Sequence, residues 1–411
     1  MKSVLFIFLF ASGVCFGQTD ITGSGKAEFK KQSLSEKPDY SIPYRILRTL
    51  IKQYPDSVEL YYFLGYSIDR MNSGDGSTMF KQNRDMTIEA SEAFETVNRL
   101  SPFYNGEYVV LDPYAKLSSI WGSLAQAYLV RGQKDSARWA FTEGKRRGGF
   151  TEPILHYNRQ LLNSCAKNAI LITVGDNISI PAWYLQEVEN YRNDVTIVDA
   201  SLINTSWYCK YLKNEQKLDI SFTDTEIDRI DYVEFETRFL TITNPKDSTE
   251  KFTWQLKPTY LDKYVLKGDR ILLNILKQSL FTRDFYFSFN SDSTWNLFLE
   301  DHLFNEGLAD KLSTRSIELN TATDSVSANF KNYSIEKLAA DEIKKSKDAI
   351  ILLNNYRWAY YVNIGRLLRE QENEKARILK NEMEIKFPLS KLPYPFEGAE
   401  LYFKKLFDKI D

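Results

Sequence analysis

Acidic and amide side chains follow two neighbouring apolar runs in the middle of this 411-residue chain. Asp176 and Asn177 come after the run 169–174, and Asp199 follows the run 195–198. In a parallel sheet the carboxyl ends of adjacent strands meet at one edge, where α/β proteins bind their ligands. Carboxylate and amide oxygens accept hydrogen bonds from sugar hydroxyls, and an indole ring such as Trp183 covers an apolar sugar face. The spacing therefore suits glycan binding.

We predict a ligand-binding site at this edge, made from Asp176, Asn177, Trp183, Asp199 and Asn204. A purely structural alternative stays open for these residues. Asp and Asn side chains also cap turns by accepting hydrogen bonds from the next backbone N–H groups, and a tryptophan often belongs to the core. Unpaired carboxylates in an open cleft would favour the site, whereas carboxylates tied to backbone N–H groups would favour the caps.

Catalysis is the second hypothesis for the same residues. Asp176 and Asp199 are a candidate carboxylate pair of the kind used by glycoside hydrolases. However, the chain has no G-x-S-x-G segment, and Gly175 does not open the G-x-G-x-x-G spacing that binds a pyrophosphate. Two histidines and no C-x-x-C pair leave a structural zinc site without ligands. We predict a non-enzymatic protein with no cofactor and no metal.

The candidate site lies on a strand–helix–strand pattern. The apolar runs 169–174 and 195–198 enclose a segment with helical spacing, which is typical of a βαβ unit in a small Rossmann-like α/β domain. The alternating runs 238–243 and 251–256 surround a polar loop and predict a β-hairpin. The pattern further predicts a helix at 270–278, an aromatic strand at 285–289, and a long amphipathic helix at 295–312 that contains Glu306 and Gly307.

Helical repeats are predicted on both sides of this α/β region. The segment 121–141 has the large and small residues of a tetratricopeptide repeat at the right spacing, and Gly132 marks its turn. An earlier copy fits 61–102 with a polar insertion at 73–83, and 44–54 resembles the second helix of a preceding unit. Stacked helix pairs create concave grooves. We predict a partner-binding groove at Tyr61, Tyr62, Tyr66, Tyr128 and Arg131.

The fold class is thus α/β plus all-α, with tetratricopeptide-like repeats flanking a Rossmann-like domain with a β-hairpin. Helices at 346–369 and 373–387 carry a degenerate final repeat. The predicted parts are a signal peptide at 1–17, helical repeats at 38–165, the α/β domain at 166–312, a polar linker at 313–332, and C-terminal helices at 333–411.

The first seventeen residues have the pattern of a secretory signal. Lys2 precedes a short apolar core, and Cys15 and Gly17 are small residues at the positions that a signal peptidase requires. We expect cleavage after Gly17, export to the periplasm or beyond, and no membrane-spanning segment in the mature chain. The net charge of −2 gives no basic patch for nucleic acid. Cys165 and Cys209 then remain, either as a disulfide or as two buried thiols.

Three blocks of the chain resemble the globular tail of the bacterial protein O-mannosyltransferase-like multi-spanning membrane proteins. The family's strand–loop–helix pattern G-D-N-D-T-F-P-L-W-Y-L-Q-E-V-E is matched by Gly175, Asp176, Asn177, Pro181 and the run 183–189. The second block, 194–208, is similar to the family's second strand and its L-N-T-x-W-Y turn. The third, within 283–309, is similar to its R-P-I-Y-F and L-x-x-E-G-L-A segments.

The resemblance implies the accessory globular half of such a protein. Glycosyl transfer in that family belongs to the membrane-embedded part, which has no counterpart here, so transferase activity is not implied. Ile178 also stands where the family has a second Asp, which removes one carboxylate from the loop. The sequence therefore predicts an exported binding or scaffold protein of the cell envelope that recognises a protein or glycan. The alternative is a sugar-active enzyme or glycosylation accessory that uses Asp176 and Asp199.

Overall fold

The computed structural model describes residues 23–74, 76–289, 291–314 and 330–410. The predicted signal peptide and most of the predicted linker at 313–332 lie outside these ranges. Within them the chain is a mixed α/β protein in which helices dominate over small sheets. The predicted fold class is confirmed in this coarse form.

The N-terminal part consists of helices that pack in pairs. Asp112 is the N-cap of the longest of them, α5. Its Oδ1 accepts the N–H of Ala115, and Pro113 occupies the first helical position. The predicted insertion at 73–83 is a turn with a short 3-10 helix at Met79–Lys81. α3 packs on α4, and α5 packs on α6. The helices are α1 (Gly23–Ser33), α2 (Ser41–Gln53), α3 (Val58–Ser73), α4 (Arg84–Leu100), α5 (Pro113–Val130), α6 (Lys134–Arg146) and α7 (Glu152–Ser164).

The predicted βαβ unit is confirmed. Strands β1 (Ile170–Thr173) and β2 (Thr196–Asp199) are parallel neighbours, and helix α8 (Asp176–Glu189) connects them. All four residues of β1 are buried, which is why its sequence is continuously apolar. The next helices are α9 (Ser206–Asn214) and α10 (Asp224–Arg229).

The remaining strands form two two-stranded sheets and complete the five-stranded main sheet. The predicted hairpin is formed by β4 (Arg238–Asn244) and β5 (Asp247–Leu256), while β3 (Val233–Glu234) pairs with β6 (Tyr264–Val265). The predicted helix at 270–278 is α11 (Lys267–Ser279), and the aromatic strand is β7 (Phe285–Ser288). β7 pairs in parallel with β1, and the main sheet has the order β2-β1-β7-β9-β8, where β8 is Leu303–Asn305 and β9 is Ala309–Leu312.

The predicted long helix at 295–312 is wrong. This segment contains a 3-10 helix at Glu300–His302 and the antiparallel strands β8 and β9. Gly307 has a φ of +104° in the turn between the strands, so Glu306 and Gly307 do not lie within a helix. Pairing of β9 with β7 satisfies backbone groups across the sheet, and this tertiary requirement overrides the amphipathic spacing.

The C-terminal helices occur where the sequence predicted them, and the longest of them packs against a helix from the middle of the chain. They are α12 (Ala340–Lys344), α13 (Lys347–Arg369), α14 (Asn373–Lys386) and α15 (Ala399–Phe407). α13 packs against both α14 and α7. None of the helices in the described ranges has the length and apolar character that crossing a membrane requires.

Helix α5 meets helix α8 at a glycine. A Cβ atom built on Gly122 would overlap Cγ2 of Ile180, so the close packing of the two helices depends on the missing side chain. We expect Gly122→Ala to lower the free energy of unfolding by about 1–3 kcal/mol, the usual cost of overpacking. Denaturant unfolding measures the change.

A matched control is Gly365→Ala in helix α13. There the added Cβ meets nothing closer than 3.8 Å, so helix propensity should raise stability by about 0.5–1 kcal/mol. In the Gly122→Ala chain, Ile180→Ala should recover part of the loss, because it removes the overlapping methyl group. Equal effects of the two glycine substitutions would contradict close packing at Gly122.

Candidate functional site

The predicted edge of the sheet brings its acidic residues together. Thr173, the last residue of β1, is in register with Asp199, the last residue of β2. Asp176 and Asn177 lie in the first turn of α8, directly after β1. The convergence that the sequence predicted is therefore present, and the hydrogen-bond partners decide what it does.

Asp199 is a buried structural carboxylate with only 4 % of its surface exposed. Its Oδ1 accepts the backbone N–H groups of Ser201 and Leu202, at 2.9 and 2.8 Å. Its Oδ2 accepts the hydroxyl of Ser179, which also contacts Thr173. Burial raises the pKa of Asp199 to about 6, and these hydrogen bonds oppose the rise. Both oxygens are occupied, as the capping alternative requires.

Asp176 and Asn177 connect α8 to two other helices. Asp176 is exposed, and its Oδ2 accepts the hydroxyl of Ser119 on α5 at 2.6 Å. Asn177 donates its Nδ2–H to Oδ1 of Asp348, at the start of α13, at 3.0 Å. Their role in the structure is to join helices.

Asp112 and Asp348 form a reciprocal pair across 236 residues of sequence. The N–H of Asp112 donates to Oδ2 of Asp348 at 2.5 Å, and the N–H of Asp348 donates to Oδ2 of Asp112 at 2.9 Å. The hydroxyl of Ser346 also donates to Asp112. Burial, followed by the charge of Asp112, raises the pKa of Asp348 to about 8. A proton held by Asp348 at neutral pH relieves the repulsion between the two carboxyl groups.

A buried lysine extends this network to α3. Lys116 is 7 % exposed, and its ammonium lies 2.7 Å from Oδ2 of Asp69 and 5.0 Å from the ring centre of Tyr66. It also donates to the hydroxyl of Ser119, which in turn donates to Asp176. We call this network the four-helix joint, because it ties α5 to α3, α8 and α13; its members are Asp69, Asp112, Lys116, Ser119, Asp176, Asn177 and Asp348.

Sequence analysis identified only Asp176 and Asn177 among the members of the joint. Asp112-Pro113 and Ser346 carry ordinary helix N-terminal signals, and these predict caps rather than a contact between two distant helices. Lys116 appears in the sequence as a polar residue within an apolar helix. No local pattern pairs it with Asp69.

Two other predicted ligand residues serve packing. Trp183 is buried, with its ring centre 6.1 Å from that of Tyr208. Asn204 accepts the N–H of Gly268 at the start of α11 with its Oδ1, and its Nδ2 donates to the carbonyl groups of Ala200 and Ser201. Any Cβ at position 268 would lie 2.8 Å from Asn204, so the two residues are in close contact.

The predicted partner groove does not form one exposed surface. Tyr62 and Tyr66 are core residues with 0 and 1 % exposure, and their hydroxyl groups bond the backbone of Leu111. Tyr61 and Tyr128 are half-buried, and exposed Arg131 donates to the carbonyl groups at 80 and 82. The inclusion of Tyr62 and Tyr66 was wrong, because the large residues of this helix fill the space between packed helices.

Cys165 and Cys209 are both free and buried. Burial raises the pKa of the Cys209 thiol to about 12 and that of Cys165 above its ordinary value. The thiol of Cys165 donates a weak hydrogen bond to the carbonyl of Leu161, and the thiol of Cys209 donates one to the carbonyl of Ile203. Of the two alternatives left open by the sequence, the structure has the buried thiols.

An open cleft of about 640 Å³ lies between the insertion after α3, the end of α5 and helix α9. We call it the junction cleft, because the helical part and the α/β part both contribute to its wall. Sequence analysis placed Asn204 in a ligand site but missed the other residues. The lining residues are Ser77, Phe80, Val130, Asn204, Thr205, Ser206, Trp207, Lys210, Tyr211, Asn214, Glu215 and Asp228.

The junction cleft combines aromatic rings with charged groups. The ring centres of Phe80 and Trp207 are 6.1 Å apart. The indole Nε1 of Trp207 is buried and has no hydrogen-bond partner among the described residues. Lys210 forms a 2.7 Å ion pair with Asp228, and the two side chains are 31 and 53 % exposed. The cleft therefore offers both apolar faces and reachable polar groups.

Comparison with known families supports the resemblance in part. Residues 155–257 match the family model described as TMEM260-associated domain 2, a domain related to a protein O-mannosyltransferase-like protein. The match covers β1, α8, β2 and α9, and thus most of the α/β wall of the junction cleft. No curated protein and no solved structure matches the chain.

The raised pKa of Asp348 predicts a pH dependence of stability. An unfolded Asp releases its proton near pH 4, whereas the folded protein holds it until about pH 8. The folded state therefore binds more protons in this window, and stability should fall as pH rises through it. Asn at position 348 cannot ionise. We therefore expect Asp348→Asn to make the slope of the unfolding free energy against pH shallower by on the order of 1 kcal/mol per pH unit.

Urea unfolding at pH 5, 6, 7 and 8 measures the slope. Asp301→Asn, at an exposed position in the 3-10 helix, is the matched control and should retain the wild-type slope. Asp199 also has a raised pKa, so the Asp348 variant should keep a smaller residual slope. An Asp348 variant whose slope equals that of wild type would show that this carboxyl group does not titrate in the window.

Proposed function

We propose that this chain is an exported binding protein of the cell envelope. In this proposal, tetratricopeptide-like helix pairs flank a Rossmann-like α/β domain, and a protein or glycan partner binds in the junction cleft. The protein acts as a scaffold that presents this cleft in the periplasm or outside the cell, and it does not transfer sugars itself.

The junction cleft is the observation that carries the proposal. Its volume of about 640 Å³ falls in the range of small-ligand sites, roughly 300–1,000 Å³. Phe80 comes from the insertion between α3 and α4, Val130 ends α5, and Trp207 lies in the first turn of α9. A ligand in the cleft would therefore contact both structural parts, which suits a protein whose helices support a recognition domain.

The finer fold assignment is supported by packing. The pairs α3–α4 and α5–α6 stack consecutively, since α4 also packs on α5. Gly65 on α3 lies against the ring of Phe94 on α4, where a Cβ would come within 2.7 Å. This is the close approach of two helices that the repeat spacing predicts. Three adjacent parallel strands, β2, β1 and β7, support the Rossmann-like assignment.

The hydrogen-bonding of Asp199 argues against the enzymatic alternative. A glycoside hydrolase needs one carboxylate to attack or activate water and another to protonate the leaving group. Both oxygens of Asp199 accept hydrogen bonds from Ser179 or backbone N–H groups, and Asp176 accepts one from Ser119. Recognition without turnover is the function that this arrangement favours.

Export is tested at the N terminus of the mature protein. We expect signal peptidase to cleave after Gly17, so that intact-mass analysis of protein from the envelope fraction finds Gln18 first. Gly17→Leu places a large residue where signal peptidase requires a small one, so the precursor should remain uncleaved. The neighbouring change Thr19→Ser is the control. If the wild-type protein instead retains Met1 and stays in the cytoplasm, export is contradicted.

Partner binding is tested with cleft variants of the mature chain. Envelope extract is passed over immobilised wild type, Trp207→Ala and Trp139→Ala, where Trp139 is a surface residue of α6 outside the cleft. We expect wild type and the Trp139 variant to retain the same component in equal amounts. The Trp207 variant should retain at least about tenfold less of it, as for an aromatic hot spot. Equal retention by all three would overturn the proposal.

A further inference from the structure

We infer that the junction cleft binds a neutral pyranose ring of a glycan. The inference rests on the proposed function and specifies its ligand. It depends on three features of the cleft: a rigid aromatic wall, an indole N–H without an acceptor, and carboxylates that outnumber the ammonium group.

The Trp207 ring forms the aromatic wall of the cleft, and packing against tyrosine rings restricts its movement. Trp207 packs edge-on against Tyr208, which is 1 % exposed, with ring centres 5.5 Å apart. Tyr208 stacks in turn on Tyr211, at 6.3 Å. The Trp207 ring therefore loses little conformational freedom on binding, which favours affinity for a flat apolar face. The C–H face of a pyranose ring is such a surface, and it fits an indole as in the usual aromatic stacking of sugars.

The indole N–H of half-buried Trp207 differs from those of two buried tryptophans. Trp121 donates to the hydroxyl of Ser91 at 2.9 Å, and Trp254 donates to the carbonyl of Leu297 at 3.1 Å. Trp207 Nε1 has no such acceptor in the described part of the chain. A buried donor without an acceptor costs about 1–3 kcal/mol. A ligand hydroxyl that accepts a hydrogen bond from Nε1 would recover this cost, so the donor favours a hydroxyl-bearing ligand.

The charges of the cleft disfavour an anionic ligand. Lys210 is paired with Asp228, and Glu215 adds a second carboxylate without a second cation among the lining residues. A carboxylate accepts hydrogen bonds from two vicinal hydroxyl groups, whereas it repels phosphate or uronate. Other polar groups are already used: Tyr211 accepts from Gln216, and Asn214 donates to Asp224. Sugar hydroxyls match the groups that remain.

The size of the cleft favours a compact ligand over a folded protein surface. Stable protein interfaces bury about 1,200–2,000 Å² in total, whereas an open cleft of about 640 Å³ accommodates one small ligand. The ammonium of Lys81 lies 5.3 Å from the ring centre of Phe80 and covers one face of that ring. Trp207 is therefore the main stacking surface for a single ring.

The test is a titration of the mature chain with defined sugars. The neutral probes are the methyl glycosides of glucose, galactose, mannose and N-acetylglucosamine, and the anionic probes are glucose 6-phosphate and methyl glucuronide. NMR of the indole N–H signals reports binding, and Trp207→Phe assigns the signal of Trp207. We expect a neutral glycoside to shift this signal, and the anionic probes to bind at least about tenfold more weakly.

Two matched pairs of variants locate the site. Trp207→Phe and Glu215→Gln should each weaken binding of the neutral glycoside by about tenfold, because each removes a group that faces a hydroxyl. Trp139→Phe and Glu236→Gln change exposed residues outside the cleft and should bind as wild type. Equal binding by all four variants would place the sugar elsewhere and overturn the inference.

The inference and the proposed function fail in different ways. If no neutral glycoside binds while partner retention still depends on Trp207, the cleft takes another class of ligand, such as a peptide, and only the inference is overturned. Tighter binding of the phosphate or uronate probe would also overturn it. If partner retention does not depend on Trp207, the proposed function is overturned as well.

Discussion

The fold depends on a polar joint that lies between helices distant in sequence. Asp112 and Asp348 each donate a backbone N–H to the other's carboxyl group, so the N termini of α5 and α13 face each other directly. Asn177 adds the first turn of α8 to the same pair. Buried polar groups are stable only when they are hydrogen-bonded. The joint thus requires the N-terminal helices, the α/β region and the C-terminal helices to keep one arrangement.

The joint also occupies hydrogen-bonding groups at the sheet edge where the sequence predicted a ligand site. In open α/β folds the crevice at the carboxyl ends of the strands is the usual place for a ligand. Here Ser119 from α5 and Asp348 from α13 occupy the hydrogen-bonding groups at the start of α8, and Asp199 is buried beneath the turn after β2. The junction cleft lies next to the 3-10 helix at Leu202–Asn204 and to α9.

Local elements were predicted well where one physical signal dominates. The buried strand β1 and the turn at Gly132 follow from continuous apolarity and glycine geometry. The segment 295–312 failed because its apolar spacing suits a helix while its backbone pairs with β7. A long-range strand pairing leaves no local trace that separates it from an amphipathic helix.

The sequence by itself determined the βαβ unit, the helix pairs and the acidic residues at the strand ends, because these depend on residues close together in the chain. Only the tertiary structure decided their roles. Asp348 closes the predicted site from 171 residues away, and Phe80 meets Trp207 across the boundary of two parts of the chain. Whether a carboxylate is a ligand or a structural acceptor depends on which distant donors reach it, and packing alone sets that.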